Sequence, residues 1–134
     1  MLTYEFISHI ITILKIQYRL HHIMKFSEQE LGDIIKFALE GDFSIFYKDE
    51  FEEVLKKRIG SGFGKYIIDL EKVDYIDSMG IGVLVEAGTA ASKENHKVII
   101  VNPTAKVRQV IEMAKLHKIL EISESEEVAV DLLS

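Results

Sequence analysis

A chain of 134 residues, 48% hydrophobic and 28% charged, with one proline and eight glycines, has material for one compact core and predicts a single soluble domain. Sixteen Lys and Arg against 22 Asp and Glu leave a formal charge of −6, which disfavours a nonspecific grip on nucleic-acid phosphates, so no direct nucleic-acid partner is expected. Cysteine is absent, which excludes disulfides, thiolate nucleophiles and sulfur-ligated zinc and points to a cytoplasmic setting.

Residues 1–24 differ from the rest. A dense apolar series runs from Leu2 through Phe6, Ile10 and Leu14 to Ile23. Lys15 and Arg19 against Glu5 give it a charge of +1, leaving −7 for residues 25–134. The spacing of Phe6, Ile10 and Ile13, continued by Ile7, Ile11, Leu14 and Tyr18, predicts a helix with apolar side chains on more than one face, which must pack on something. Its longest charge-free stretch, Phe6 to Leu14, is far below the roughly 18 residues of a membrane span. Glu5 stands where an export signal would be positive. Three readings stay open: an appended helix that docks or self-associates, a membrane-surface anchor, or a translated leader ahead of a start at Met24.

From Lys25 the pattern is that of an alternating α/β domain. Ile35, Phe37 and Leu39 alternate with Lys36, Ala38 and Glu40, as in a strand with one wet face, which Gly41-Asp42 is expected to break. Tyr47, Phe51, Val54, Leu55 and Ile59 follow at helical spacing until Gly60, Gly62 and Gly64 end the helix. Tyr66 to Leu70 reads as a strand buried on both faces, with Asp74 to Ser78 as the connection out of it. Ile81, Leu84, Val85 and Gly88 mark a small-residue helix ending at Asn95-His96, and Val98 to Val101 is the next buried strand. Thr104 is the expected N-cap of a helix carrying Val107, Val110 and Ile111. Ile119 to Ile122 predicts a short last strand, and Ser123 with Glu126 has capping-box spacing for a closing helix over Val128 to Leu133.

The chemistry-bearing patterns are mostly weak. Gly60-Ser61-Gly62-Phe63-Gly64-Lys65 ends a helix instead of opening one and lacks Walker spacing, so it reads as a turn. The five histidines show no HExxH spacing, and neither metal nor cofactor is expected. Asp69, Asp74 and Asp77 are expected to gather at the end of the third strand, where a magnesium or phosphoryl-transfer site would lie, but turn and cap roles are the stronger reading of such residues. Ser78 lacks a Gly-x-Ser-x-Gly elbow, so no hydrolase constellation survives.

What remains is Asp77-Ser78-Met79-Gly80-Ile81-Gly82, a serine at a strand-to-helix junction with two glycines in the first turn. Each glycine costs roughly 1 kcal/mol relative to alanine in a helix, so the pair suggests close backbone approach, with another protein as the expected visitor. A phosphate on Ser78 would add about −1.5 to −2 charge beside a helix N-terminus that tolerates it, so a switch there would act on binding.

These residues, with Tyr66 to Leu70 and Val73 before them and Val98 to Pro103 after, resemble the STAS domain of anti-sigma factor antagonists over about Lys25 to Leu133. The resemblance implies an α/β fold with a small mixed β-sheet covered by about four helices. Here it would occupy residues 25–134 and carry an extra N-terminal apolar helix in residues 1–24. It implies a protein that is substrate and not enzyme. The unphosphorylated form binds an anti-sigma factor serine kinase and frees the sigma factor, phosphorylation of Ser78 ends that binding, and a serine phosphatase resets the switch. By position, Asp77, Met79, Gly80, Ile81 and Gly82 would border the kinase-binding surface, and Asp42 resembles part of an acidic strand-end loop nearby. Met79 departs from the family pattern, where a second small residue is common, and this bears on partner choice. The rival reading is a scaffold or nucleotide-binding STAS module of a stress-signalling complex, motivated by residues 1–24.

Overall fold

The computed structural model describes residues 3–134, without the side chains of residues 18–22. Leu2 and the side chains of Tyr18, Arg19 and Leu20 therefore lie outside the described residues. The elements are α1 (Tyr4–His22), β1 (Lys25–Leu31), β2 (Ile34–Phe43), α2 (Asp49–Ile59), β3 (Lys65–Ile76), α3 (Ser78–Lys93), β4 (Lys97–Val101), α4 (Ala105–Met113), a 3-10 turn (Leu116–Lys118), β5 (Glu121–Ser123) and α5 (Glu126–Leu132). The five strands form one sheet in the order β1-β2-β3-β4-β5. β1 and β2 are an antiparallel hairpin, and the remaining pairs are parallel. This is the mixed α/β architecture expected from the sequence.

The alternation in β2 does what period-two patterning requires. Ile35, Phe37 and Leu39 enter the main core with Tyr66, Ile68 and Leu70 of β3. Phe51 and Leu55 of α2, Val83 and Leu84 of α3, and Val107 and Ile111 of α4 close over the same face. On the opposite face α5 covers a smaller cluster of Ile34, Ile67, Ile99, Val101, Ala129 and Leu133. Beside it, Lys36 bridges Glu126 at 2.6 Å and Asp69 at 3.6 Å. The hydrogen bond to Glu126, opposed in part by burial, holds the Lys36 ammonium pKa above the ordinary lysine value.

Four boundaries differ from the sequence reading. Gly41-Asp42 does not break β2: the strand continues to Phe43 through a register shift, with Gly41 at φ +94°. A bulge thus absorbs the break that the glycine signalled. β3 runs to Ile76 and includes Asp74, because Val73 and Ile76 stay buried while their polar neighbours face water. The cap of α5 is Ser125, whose hydroxyl accepts from the Val128 amide, while Ser123 bonds instead to the Ser125 backbone. The last strand begins at Glu121, after a 3-10 turn that takes Leu116 and Leu120 into the core. Thr104 caps α4 as expected, accepting from the Val107 amide.

α1 forms as predicted but packs differently. Its described side chains are exposed, and the first buried residue after it is Met24. No helix among the described residues is long and apolar enough to cross a membrane.

Candidate functional site

The Ser78 region is built where the end of β3 turns into α3. Asp77 is extended, at φ −105° and ψ −176°, and caps the helix: its Oδ1 accepts from the amides of Met79 at 2.9 Å and Gly80 at 3.0 Å. Its Oδ2 accepts from the Ile45 amide at 3.0 Å, and its own amide donates to the Phe43 carbonyl at 3.2 Å. One side chain therefore satisfies two orphan N–H groups of a helix start and pins the loop leaving β2.

Ser78 is the first residue of α3 and is exposed. Because Asp77 already occupies the Met79 and Gly80 amides, a group attached to the Ser78 hydroxyl would project outward without exchanging bonds inside the fold. Met79 is exposed; Ile81 and Gly82 are half-buried. Asp42, half-buried, lies at the same end of the sheet, in register with Tyr75.

The two glycines divide. A Cβ on Gly80 would stand 2.4 Å from the Phe43 carbonyl oxygen and 2.8 Å from Cγ1 of Ile76, whereas one on Gly82 would meet nothing within 4 Å. The close approach at Gly80 is therefore made by the chain's own Phe43 and Ile76, where the sequence suggested a visiting protein. Gly80→Ala is expected to destabilise by about 1–2 kcal/mol, overpacking outweighing the gain in helix propensity, while Gly82→Ala stabilises by about 0.5–1 kcal/mol. Urea unfolding of the two variants checks the opposite signs.

The aspartates do not gather as the sequence suggested. Asp69 lies mid-strand in β3, nearly buried, paired with Lys36 and accepting from the Glu71 amide at 2.9 Å. Asp74 is exposed on the wet side of the same strand. Asp69 pairs with Ala38 and Ile76 with Phe43, five steps along β2, so roughly 17 Å at 3.3 Å per residue separate Asp69 from the end of β3 that Asp77 follows. Among the described residues, no group of three or more His, Cys, Asp or Glu could hold a metal ion.

Sequence reasoning missed the apolar rim. Ile45, Phe46 and Tyr75 are exposed beside this end of the sheet, Phe46 at 83% and Tyr75 at 46%, and Met79 adds a fourth open side chain at 42%. The turn carrying Ile45 and Phe46 is fixed by buried Ser44, whose carbonyl accepts from the Tyr47 amide and whose hydroxyl accepts from the Phe46 amide. Open aromatic and Met side chains gathered from this turn, β3 and α3 have the composition of protein-binding surfaces in general. The signal was present in Ile45-Phe46-Tyr47, an apolar triplet ahead of α2 with only Tyr47 assigned to the helix face.

Comparison with known proteins agrees with this architecture. The family model described as STAS domain matches residues 25–129. The chain is 26% identical over 104 residues to the anti-sigma-B factor antagonist of Staphylococcus aureus, covering 78% of this chain and 89% of that protein. Among solved structures, the anti-sigma factor antagonist SpoIIAA in its unphosphorylated form superposes with a TM-score of 0.71 at 20% identity, covering 81% of this chain and 96% of that one. The Bacillus cell fate determinant SpoIIAA in the phosphorylated form gives 0.66 at 19% identity, covering 82% and 100%. At those identities the structural likenesses speak for the fold. With the family model matching from β1 into α5 over one five-stranded mixed sheet, the chain belongs to the STAS domain family.

Proposed function

We propose that this protein is an anti-sigma factor antagonist working by partner switching, with residues 25–134 as its functional domain. Unphosphorylated, it binds an anti-sigma factor that is also a serine kinase, and the sigma factor is released. The kinase then transfers the γ-phosphoryl group of ATP to the Ser78 oxygen, the hydroxyl proton leaves, ADP is the product, and the complex dissociates. A serine phosphatase hydrolyses the ester and resets the cycle. In this reading the protein is a substrate and supplies no catalytic group.

The observation that carries the reading is the exposure of Ser78 on a helix start whose amides are already capped, beside the open side chains of Phe46 and Met79. An added phosphate has no fold-internal task there, so its charge acts on whatever docks. A partner surface fitted to the neutral serine would then meet about two added negative charges at the contact.

Incubation with the cognate kinase and ATP is expected to label the wild type and leave Ser78→Ala unlabelled; full labelling of the alanine variant would overturn the assignment. By calorimetry, Ser78→Asp is expected to bind the kinase about 10–100-fold more weakly than wild type, through charge repulsion and desolvation at the contact. Unchanged affinity would count against the switch.

A further inference from the structure

With four Met and no Cys, the sulfur chemistry of this chain rests on methionine alone. The Met side chains among the described residues sit in different surroundings. Met24 is buried in the core, Met113 stands 78% exposed at the end of α4, and Met79 is open beside Ser78. Met79 alone of these stands where the proposed function needs a contact: it is the second residue of α3 and shares the apolar rim with Ile45, Phe46 and Tyr75. We propose that Met79 is a site of reversible oxidation by hydroperoxides, and that its sulfoxide releases the anti-sigma kinase as phosphorylation of Ser78 does. The inference rests on the partner-switching reading and adds a second input to the same surface, one that consumes no ATP.

The step is an oxygen transfer. The Met79 sulfur gives a lone pair to the terminal oxygen of the hydroperoxide, and the S–O bond forms as the O–O bond breaks. The proton on that oxygen moves to the departing one, which leaves as water or an alcohol. Sulfur is oxidised by two electrons and the peroxide is reduced by two. Two thiols of a sulfoxide reductase reverse the change, giving a disulfide and water. The fold does not oppose oxidation, because the Asp77 carboxylate holds the Met79 backbone amide at 2.9 Å whatever the state of the sulfur, and the side chain already faces solvent. The consequence falls on the contact. A thioether packs as an apolar group, whereas a sulfoxide carries a strong acceptor oxygen that an apolar partner surface leaves unpaired. The sulfoxide is uncharged, so its effect, unlike that of a phosphate, does not depend on salt.

Calorimetry of the full chain with the cognate anti-sigma kinase, before and after limited hydrogen peroxide treatment, tests the site, with peptide mass mapping to place each added oxygen. Mapping is expected to show Met79 and Met113 oxidised at least about 10-fold faster than buried Met24, with the urea midpoint unchanged. Kinase affinity is expected to fall about 10-fold or more on treatment, by a factor that is the same at about 50 and 500 mM salt. It is expected to return with the reductases for both sulfoxide epimers and a dithiol. Met79→Leu, whatever its own affinity, is expected to bind equally before and after treatment, while Met113→Leu stays as sensitive as wild type. Sensitivity that persists in Met79→Leu overturns the inference and leaves the Ser78 switch standing. So does a wild type whose affinity survives full oxidation at Met79, or a Met79 that resists peroxide as Met24 does. An untreated chain that does not bind the kinase overturns the partner-switching reading, and this inference with it.

Discussion

Phe51→Ala is expected to lower the unfolding free energy by about 3–5 kcal/mol, the largest loss of any single truncation discussed here. Phe51 is fully buried in α2 and is the hub of an aromatic cluster, with ring centroids of Phe26, Phe37 and Phe43 at 5.3, 5.4 and 5.6 Å, all edge-on. Each such pair contributes about 0.5–1.5 kcal/mol beyond area burial, and alanine removes all three while leaving a void over β1 and β2 that the paired strands cannot collapse to fill. Against a total stability of about 5–15 kcal/mol, the variant would populate unfolded chain measurably at 37 °C. The damage also reaches the Ser78 region, because Phe43 carries the carbonyl that bonds the Asp77 amide. Urea titration should show a lower midpoint with an unchanged slope, and a loss under 1 kcal/mol would contradict the packing account.

Asp77 gives the second large effect, and two substitutions there separate its tasks. Asp77→Ala removes the acceptors of the Met79, Gly80 and Ile45 amides together, and is expected to cost about 2–3 kcal/mol, more than a simple N-cap deletion of about 1. Asp77→Asn keeps an acceptor oxygen for the helix amides but turns an NH₂ donor toward the Ile45 N–H, so it is expected to cost only about 1 kcal/mol. The Ile45 amide should then exchange its proton faster by 10-fold or more while the Met79 and Gly80 amides stay protected. Equal exchange at all three amides would show that the two oxygens do not divide the work.

Much of this was legible in the residues. β2 announced itself through strict alternation at Ile35, Phe37 and Leu39, and the α3 junction through Asp77-Ser78 with its glycines. The full length of β3 was hidden because beyond Leu70 the strand loses its β4 partner and pairs only with β2, so the two-sided apolar run gives way to Val73 and Ile76 among charges. β1 was illegible for a similar reason: as an edge strand, only Phe26 and Leu31 of it are even partly covered. The α5 cap was misplaced by two residues since Ser123 and Ser125 are chemically equivalent cap candidates and only the buried position of Ser123 decides between them. The rim escaped although the apolar run Ile45-Phe46-Tyr47 stood in the sequence, because a sequence alone does not tell an exposed apolar side chain such as Phe46 or Tyr75 from a buried one.

The contrast between Gly80 and Gly82 has a consequence for divergence. Requirements of folding alone suffice to hold Asp77 and Gly80 invariant, since one ties the helix to the neighbouring loop and the other has no room for a methyl group. Gly82 has open space where a Cβ would stand, and Met79 and Phe46 are exposed, so the fold places no such constraint on them. Under the proposed function, duplicated copies of such a chain could drift apart in whom they recognise by changing those three positions, while the scaffold around Ser78 stayed the same.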